Sequence, residues 1–329
     1  WIKSESNSFI GDMDVDATGN VHITGDLNST MTFGTTSLPI YNGYSTYLAK
    51  FGTNGNLLWA KNISEGTGQT YNPSLAVDAA GNSYVTGKFQ NSTTIGTAAL
   101  TGSGIYLAKL GADGTTIWAK SIGNASYVED IALDNFGNSY ITGHFSGSAN
   151  FSSVSLSSGP GSDRDNFIVK HTPEGTFEWA NGMGGGGSTF ASDIAVDAGG
   201  NSYVTGNFFG RLFVGNDSPR SRSSANRDMY VVKLSSEGNM QWSRLAGGTG
   251  ADEGLSVATD RSGNSYVTGS FAGTATFGSS TFSSNGSDDI FITKYDAAGN
   301  VLWARQVGGT FTDRGVSITV DAAGNSYVT

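Results

Sequence analysis

Short runs in which apolar and polar residues alternate recur along this chain in one fixed setting. The stretch DAGGNSYVTGNF at 197–208 returns as DAAGNSYVTGKF at 78–89, DNFGNSYITGHF at 134–145 and DRSGNSYVTGSF at 260–271. A diverged copy, DATGNVHITGDL, lies at 16–27, and DAAGNSYVT occupies 321–329. An Asp that bonds nearby backbone N–H groups, a Gly free to take positive φ and a run of Tyr, Val and Thr together spell a tight β-hairpin. The turn glycines Gly19, Gly81, Gly137, Gly200, Gly263 and Gly324 recur about every 60 residues, the mark of stacked or radial repeats in which no unit buries its apolar faces alone.

A second alternating hairpin follows in each repeat, as in DIFITKYDAAGNVLWARQVGG at 289–309, YLAKFGTNGNLLWAKNIS at 47–64 and YLAKLGADGTTIWAKSIG at 106–123. All six tryptophans, Trp1, Trp59, Trp118, Trp179, Trp242 and Trp303, fall at its one equivalent position, which predicts packing between repeats. Each repeat therefore holds four strands: one ending at the turn Asp, the Tyr-Val-Thr strand, one ending in Lys, and the Trp strand. Four-stranded units of this length predict an all-β protein, a β-propeller with five complete blades and a partial sixth over 315–329. Strand Trp1–Ser4 is expected to complete that last blade and remove its edge. The connections after the Trp and Tyr-Val-Thr strands, such as 247–254 and 272–289, are expected to be the variable loops on which binding is placed.

Composition narrows the class. The 329 residues include 48 Gly, 5 Pro and no Cys, with 37% hydrophobic residues. That suits a turn-rich β protein whose β-branched and aromatic residues return on schedule, read as a single domain over 1–329. The absence of cysteine excludes disulfides and thiolate chemistry. With 18 Lys and Arg against 28 Asp and Glu, the formal charge of −10 argues against nucleic-acid and anionic-membrane partners. No apolar run approaches the roughly 18 residues of a membrane span. The chain starts and stops within a repeat, which predicts a piece of a longer exported protein.

Candidate chemistry is sparse. His22, His144 and His171 occupy three different repeat positions, which favours structural roles. No nucleophile elbow is present, and the Gly-x-Gly-x-x-Gly within 182–187 aligns with Gly-Gly pairs at 247–248 and 308–309 rather than preceding a helix. Asp12, Asp14 and Asp16 resemble the start of a calcium loop, but the positions that need Gly and Glu hold Ala17 and Ile23. Acids recur near strand ends at Glu129, Asp130, Asp163, Asp165, Asp193, Asp228, Asp252, Glu253, Asp288, Asp289 and Asp313. They are read as backbone caps, with a hard cation held between loops as the alternative; calcium is the candidate ion, and no cofactor is implied.

Ten of the 18 basic residues are framework, because Lys50, Lys109, Lys170, Lys233 and Lys294 share one position and Lys3, Lys61, Lys120, Arg244 and Arg305 another. Four of the rest, Arg211, Arg220, Arg222 and Arg227, cluster in RLFVGNDSPRSRSSANRDM. This local positive charge in an acidic chain is the candidate contact for an acidic glycan or protein, with Asp252, Glu253, Asp288 and Asp289 as neighbouring candidate binding residues. The alternative is that these arginines pair with Asp217, Asp228 and the acids of the adjacent repeat.

The GNSYVTG stretch and the Lys- and Trp-strand pattern resemble the bacterial SBBP (seven-bladed β-propeller) repeat family over essentially the whole chain. The resemblance implies a propeller in an exported or cell-surface protein and no particular reaction. The expected function is a binding or scaffold module for a protein or glycan. A polysaccharide lyase or hydrolase using carboxylates on the variable loops, and a spacer without ligand, are the alternatives.

Overall fold

The computed structural model describes residues 8–41, 43–66, 68–159, 164–214, 220–221 and 226–329. All regular structure among them is β. In the first repeat Ser8–Val15, Val21–Leu27, Ser45–Phe51 and Leu57–Asn62 form one antiparallel sheet in that order. The second sheet runs Gln69–Val77, Ser83–Gln90, Gly104–Leu110 and Thr116–Gly123. Strands Tyr127–Leu133, Ser139–Phe145, Asp165–His171 and Phe177–Gly185 make the third copy. The fourth runs Thr189–Val196, Ser202–Phe208, Asp228–Leu234 and Met240–Gly248; the fifth runs Asp252–Thr259, Ser265–Phe277, Ser280–Tyr295 and Val301–Val307. Ile318–Val320 and Ser326–Val328 supply the two strands of the partial sixth. Five complete four-stranded units and a hairpin are thus what the repeat period predicts; the expected strand Trp1–Ser4 lies outside the described residues.

The chain forms two compact units. The first comprises Trp1–Ile141, Ala149–Ser155 and Lys170–Glu178; the second comprises Thr142–Ser148, Leu156–Val169 and Trp179–Thr329. In both, the Asp of each Asp-x-x-Gly-Asn turn is the hub of its repeat. Asp197 accepts hydrogen bonds from the N–H groups of Gly199 and Asn201 and from the Tyr203 hydroxyl, and the Lys233 ammonium lies 3.9 Å from it and over the Tyr203 ring. Asp260, Tyr266 and Lys294 repeat the set in the second unit, and Asp78, Tyr84 and Lys109 in the first. Lys50, Lys109, Lys233 and Lys294 thus do more than pack their stems: each lies within ion-pair distance of its turn carboxylate, whereas Lys170 pairs with Glu178.

The tryptophans join successive repeats. In the first unit the indole N–H groups of Trp59 and Trp118 donate to the carbonyls of Ala112 and Pro173; in the second those of Trp179 and Trp242 donate to Ser236 and Ala297. Each acceptor belongs to the Lys–Trp hairpin turn of the following repeat, whose glycine lies flat on the indole. A Cβ on Gly238, which has φ +82°, would stand 2.8 Å from the Trp179 ring. Trp242 is buried at 7% exposure, while the other described indoles are half-buried.

The expected variable loops are ordered instead as outer hairpins. Met31–Phe33 pairs with Thr36–Leu38, Thr93–Ile95 with Ala98–Leu100, and residues 272–289 extend the two long strands of the fifth repeat through a turn at Gly278. In the second, fourth and fifth repeats the arm pairs backward onto the end of the preceding repeat: Thr94 with Glu65 in the first unit, Gly184 with Phe213 and Gly247 with Thr276 in the second. The Gly-rich segments are therefore strand ends, not free loops. A Cβ on Gly184 would fall on the Asp165 carboxyl, and one on Gly185 on the Phe213 ring.

Candidate functional site: the arginine-bearing arm

Two of the four arginines, Arg211 and Arg220, sit on the outer arm of the fourth repeat. Leu212–Phe213 pairs with Gly184 and Gly185, and Arg211 faces Arg220 across an antiparallel bridge. The apolar Leu212 and Val214 are buried, which turns Phe213 outward at 42% exposure. The Arg211 guanidinium lies 5.6 Å from the Phe213 ring centre, within cation–π range. Arg220 is exposed, and among the described residues no carboxylate lies within ion-pair distance of Arg211 or Arg220.

Phe213 is also one wall of a cavity of about 220 Å³, completed by Phe145, Leu156, Met183 and the backbone of Gly184 and Gly185. Asp165, 4% exposed, lies at its edge and accepts the N–H groups of Gly159 and Gly185. The arm thus places an exposed aromatic ring, two cations and an apolar hollow with one carboxylate side by side.

The remaining candidate residues go elsewhere. Arg227 pairs with Glu253, and Arg314 lies 3.6 Å from Glu253 and 3.8 Å from Asp288, so these acids and Arg227 neutralise one another. Asp252 is fully buried and accepts the Gly248 N–H at 2.8 Å. Asp289, also fully buried, accepts from Gln306 and from the backbone and side chain of Asn285. Backbone capping is what these carboxylates do. Arg222, Asp217 and Asp163 lie outside the described residues. Among the described residues no three or more His, Cys, Asp or Glu side chains form a group that would hold a metal ion.

Two features escape the sequence reading. Asp12, Ser74 and Asp130 sit on the first strands of successive repeats, and Ser74 Oγ lies 2.8 Å from Asp12 Oδ2 and 3.0 Å from Asp130 Oδ1. One hydroxyl has one hydrogen, so both contacts are full hydrogen bonds only when one of the carboxyls carries a proton. Burial, then the charge of Asp130, pushes Asp12 up to about 6, so Asp12 is the group suited to carry it. The second unit uses the same register for a simpler link, with Asp193 accepting from the Ser256 hydroxyl at 2.6 Å and the Val257 N–H at 2.7 Å. The second feature is His171, 2% exposed, whose buried Nδ1 has no hydrogen-bond partner among the described residues. His22, in contrast, fills the structural role expected of it, with Nδ1 2.8 Å from Ser83 Oγ and Nε2 3.5 Å from Asp16.

Several known proteins are similar. An uncharacterized WD repeat-containing protein of Acanthamoeba polyphaga mimivirus is 31% identical over 176 residues, 47% of this chain and 13% of its own length. This chain thus spans about an eighth of that relative (13%). Among solved structures, a protein of unknown function from Dyadobacter fermentans is 9% identical with a TM-score of 0.46, over 93% of this chain and 96% of its own. The WD40 domain of Neurospora crassa Pan2 gives 9% and 0.44, over 98% and 86%, and an ulvan lyase of a polysaccharide lyase family gives 11% and 0.45, over 97% and 73%. The SBBP family model, a β-propeller repeat, matches this chain at two places, residues 241–270 and 302–329.

Proposed function

We propose that this chain is a binding module of an exported or cell-surface protein, and that its ligand is a glycan bearing carboxylate or sulfate groups, held on the arginine-bearing arm. The observation that carries the reading is the pair Arg211 and Arg220, facing each other beside the exposed Phe213 ring with no carboxylate at ion-pair distance among the described residues. An aromatic face stacks on the C–H surface of a sugar ring, guanidinium groups take its anionic substituent in forked hydrogen bonds, and the adjoining hollow offers Asp165 to a sugar hydroxyl. An acidic chain gains nothing in stability from leaving two arginines together, since like charges repel. The lyase or hydrolase reading needs carboxylates at liberty to exchange protons with substrate, and those proposed for it are engaged by Arg227, Arg314 and backbone amides.

The test compares dextran sulfate, polygalacturonate and neutral dextran by affinity electrophoresis at low and moderate salt, using the parent and Arg211→Ser/Arg220→Ser. Retardation by at least one acidic polymer and not by dextran, reduced about tenfold or more in the variant, supports the reading. Equal retardation of both proteins, or none at low salt, removes the arm as the site.

A further inference from the structure

His171 ends the Lys strand Asp165–His171. The other repeats hold Phe51, Leu110, Leu234 and Tyr295 at this position, buried at 4%, 1%, 2% and 1% exposure. The fold therefore asks for an apolar or aromatic side chain here. His171 is as deeply buried, at 2%, yet it brings two polar nitrogens. Among the described residues its Nδ1, shielded from solvent, has no hydrogen-bond partner, and its ring meets the edge of Phe177, 6.0 Å away at 74°. A buried polar atom left unpaired is destabilising, and native interiors rarely tolerate one.

Beside it lies a cavity of about 330 Å³ within the first unit, lined by His171, Ser121, Ser152, Ile122, Phe177 and Lys120. The Lys120 ammonium is already held by the carbonyls of Glu174 at 2.7 Å and Gly175 at 3.0 Å. Burial, then the Lys120 charge, pushes His171 down to about 4, so its ring is neutral at pH 7 and offers one donor and one acceptor. No carboxylate lines the cavity, which disfavours a cation. The lining instead combines groups that both donate and accept, an imidazole and two hydroxyls, with the apolar faces of Ile122 and Phe177. That is complementary to a hydroxyl-bearing ring, and the volume stands at the small end of ligand pockets, near one such ring.

We propose that this cavity is a binding site for a neutral monosaccharide unit, with His171 as its central hydrogen-bonding group. The site is separate from the arginine-bearing arm and stands without it. Binding gives the imidazole a hydrogen-bonding partner, and the same exchange makes His171 a place where ligand affinity and fold stability oppose each other.

The probes are D-glucose, D-galactose, D-mannose, L-fucose, L-rhamnose and N-acetyl-D-glucosamine, titrated by ligand-observed NMR and calorimetry against the whole chain. The variants are His171→Leu, which installs the side chain found at positions 110 and 234, and His171→Gln. At least one probe binds with a millimolar Kd and perturbs the His171 ring resonances. His171→Leu weakens that probe about tenfold or more while raising the thermal midpoint of the sugar-free protein by about 2 °C or more. His171→Gln, which keeps a donor and an acceptor, retains part of the binding. Retardation by acidic polysaccharide is the same in all three proteins, so failure here is distinct from failure of the arm. The inference is overturned if no probe binds, if His171→Leu binds as tightly as the parent, or if His171→Leu lowers the midpoint.

Discussion

Replacing Gly238 by Ala tests how one repeat is fastened to the next. Gly238 closes the Lys–Trp hairpin turn with φ +82°, and its N–H donates to Ser235 O at 2.9 Å. A methyl group here meets two costs. The positive φ alone costs about 1 kcal/mol in any residue with a Cβ. The methyl carbon would also lie 2.8 Å from Trp179 Cδ2 and 2.9 Å from Asn181 Nδ2, so the indole has to move, straining its 3.0 Å bond to Ser236 O and the 2.7 Å bond from Asn181 to Gly238 O. Displacing a packed ring and weakening two hydrogen bonds adds about 1–3 kcal/mol, for a total of about 2–4 kcal/mol. Gly147 serves as the control, because it has φ +71° in the same unit but nothing within 4 Å of its Cβ, so Gly147→Ala is expected to cost only about 1 kcal/mol. Urea unfolding of Gly238→Ala, Trp179→Ala and the double variant completes a cycle. With the indole gone, Gly238→Ala falls to the cost of Gly147→Ala, a coupling of about 1–3 kcal/mol. Additive single effects, within about 0.5 kcal/mol, refute the claim that the glycine is needed because the indole lies on it.

Further outcomes follow from other contacts. Trp179→Ala alone costs about 2–4 kcal/mol, less than a fully buried indole, because the ring is half-buried and loses one hydrogen bond; a change under about 1 kcal/mol in urea unfolding contradicts its role as the fastener. The Asp12 carboxyl has a folded pKa of about 6 against 3.8, so its contribution is full below about pH 4 and is lost as pH rises through 6. Asp130→Asn removes the neighbouring charge, lowers the Asp12 titration seen by carboxyl NMR and adds about 0.5–1 kcal/mol at pH 7.5 but little at pH 4; an unmoved Asp12 titration counts against the shared proton. Asp16 behaves with the opposite sign. Burial would raise its pKa, but hydrogen bonds from Asn20, Lys50 and Thr18 outweigh burial and hold it well below the carboxylate range. Its contribution is present above about pH 4 and fades as pH falls further, and Lys50→Met, which removes one of the groups that hold this pKa down, should cost stability at neutral pH and flatten the loss of stability of the first unit with acid.

The main hairpins were legible because their code is local. Period-two alternation, Asp four residues before Asn and a Gly at positive φ all lie within about a dozen residues. The outer arms were not, because strands such as Met31–Phe33 and Thr93–Ile95 are three residues long, and part of the pairing of the latter, Thr94 with Glu65, reaches into the preceding repeat. Serine, threonine and glycine in such a segment read as loop. The Gly pairs have the same ambiguity, since what forbids a side chain at Gly184 and Gly185 is the presence of Asp165 and Phe213, both brought there by long-range pairing.

The arginine cluster stood out as charge, but the division within it did not. Arg227 meets Glu253 across a repeat boundary, while Arg211 and Arg220 are set opposite each other by an arm whose pairing no local pattern announces. His171 carries a signal in the sequence, a polar residue where four equivalents are Phe, Leu, Leu and Tyr, but that register points to a structural role, and the cavity beside it is formed by Ser121, Ile122 and Ser152, far from it in the chain. Asp12, Ser74 and Asp130 likewise share a register: Asp12 and Ser74 each stand opposite the Thr of the following strand, Thr24 and Thr86.

The measurement that bears most directly on function is amide hydrogen exchange of the parent protein with and without the acidic polysaccharide that retards it, read by peptide across the whole chain. The account predicts slowed exchange in peptides covering 209–214 and 220–221, lost in Arg211→Ser/Arg220→Ser and absent with neutral dextran. Slowed exchange confined to other repeats, or an unchanged pattern in a mixture where binding is saturated, would contradict it.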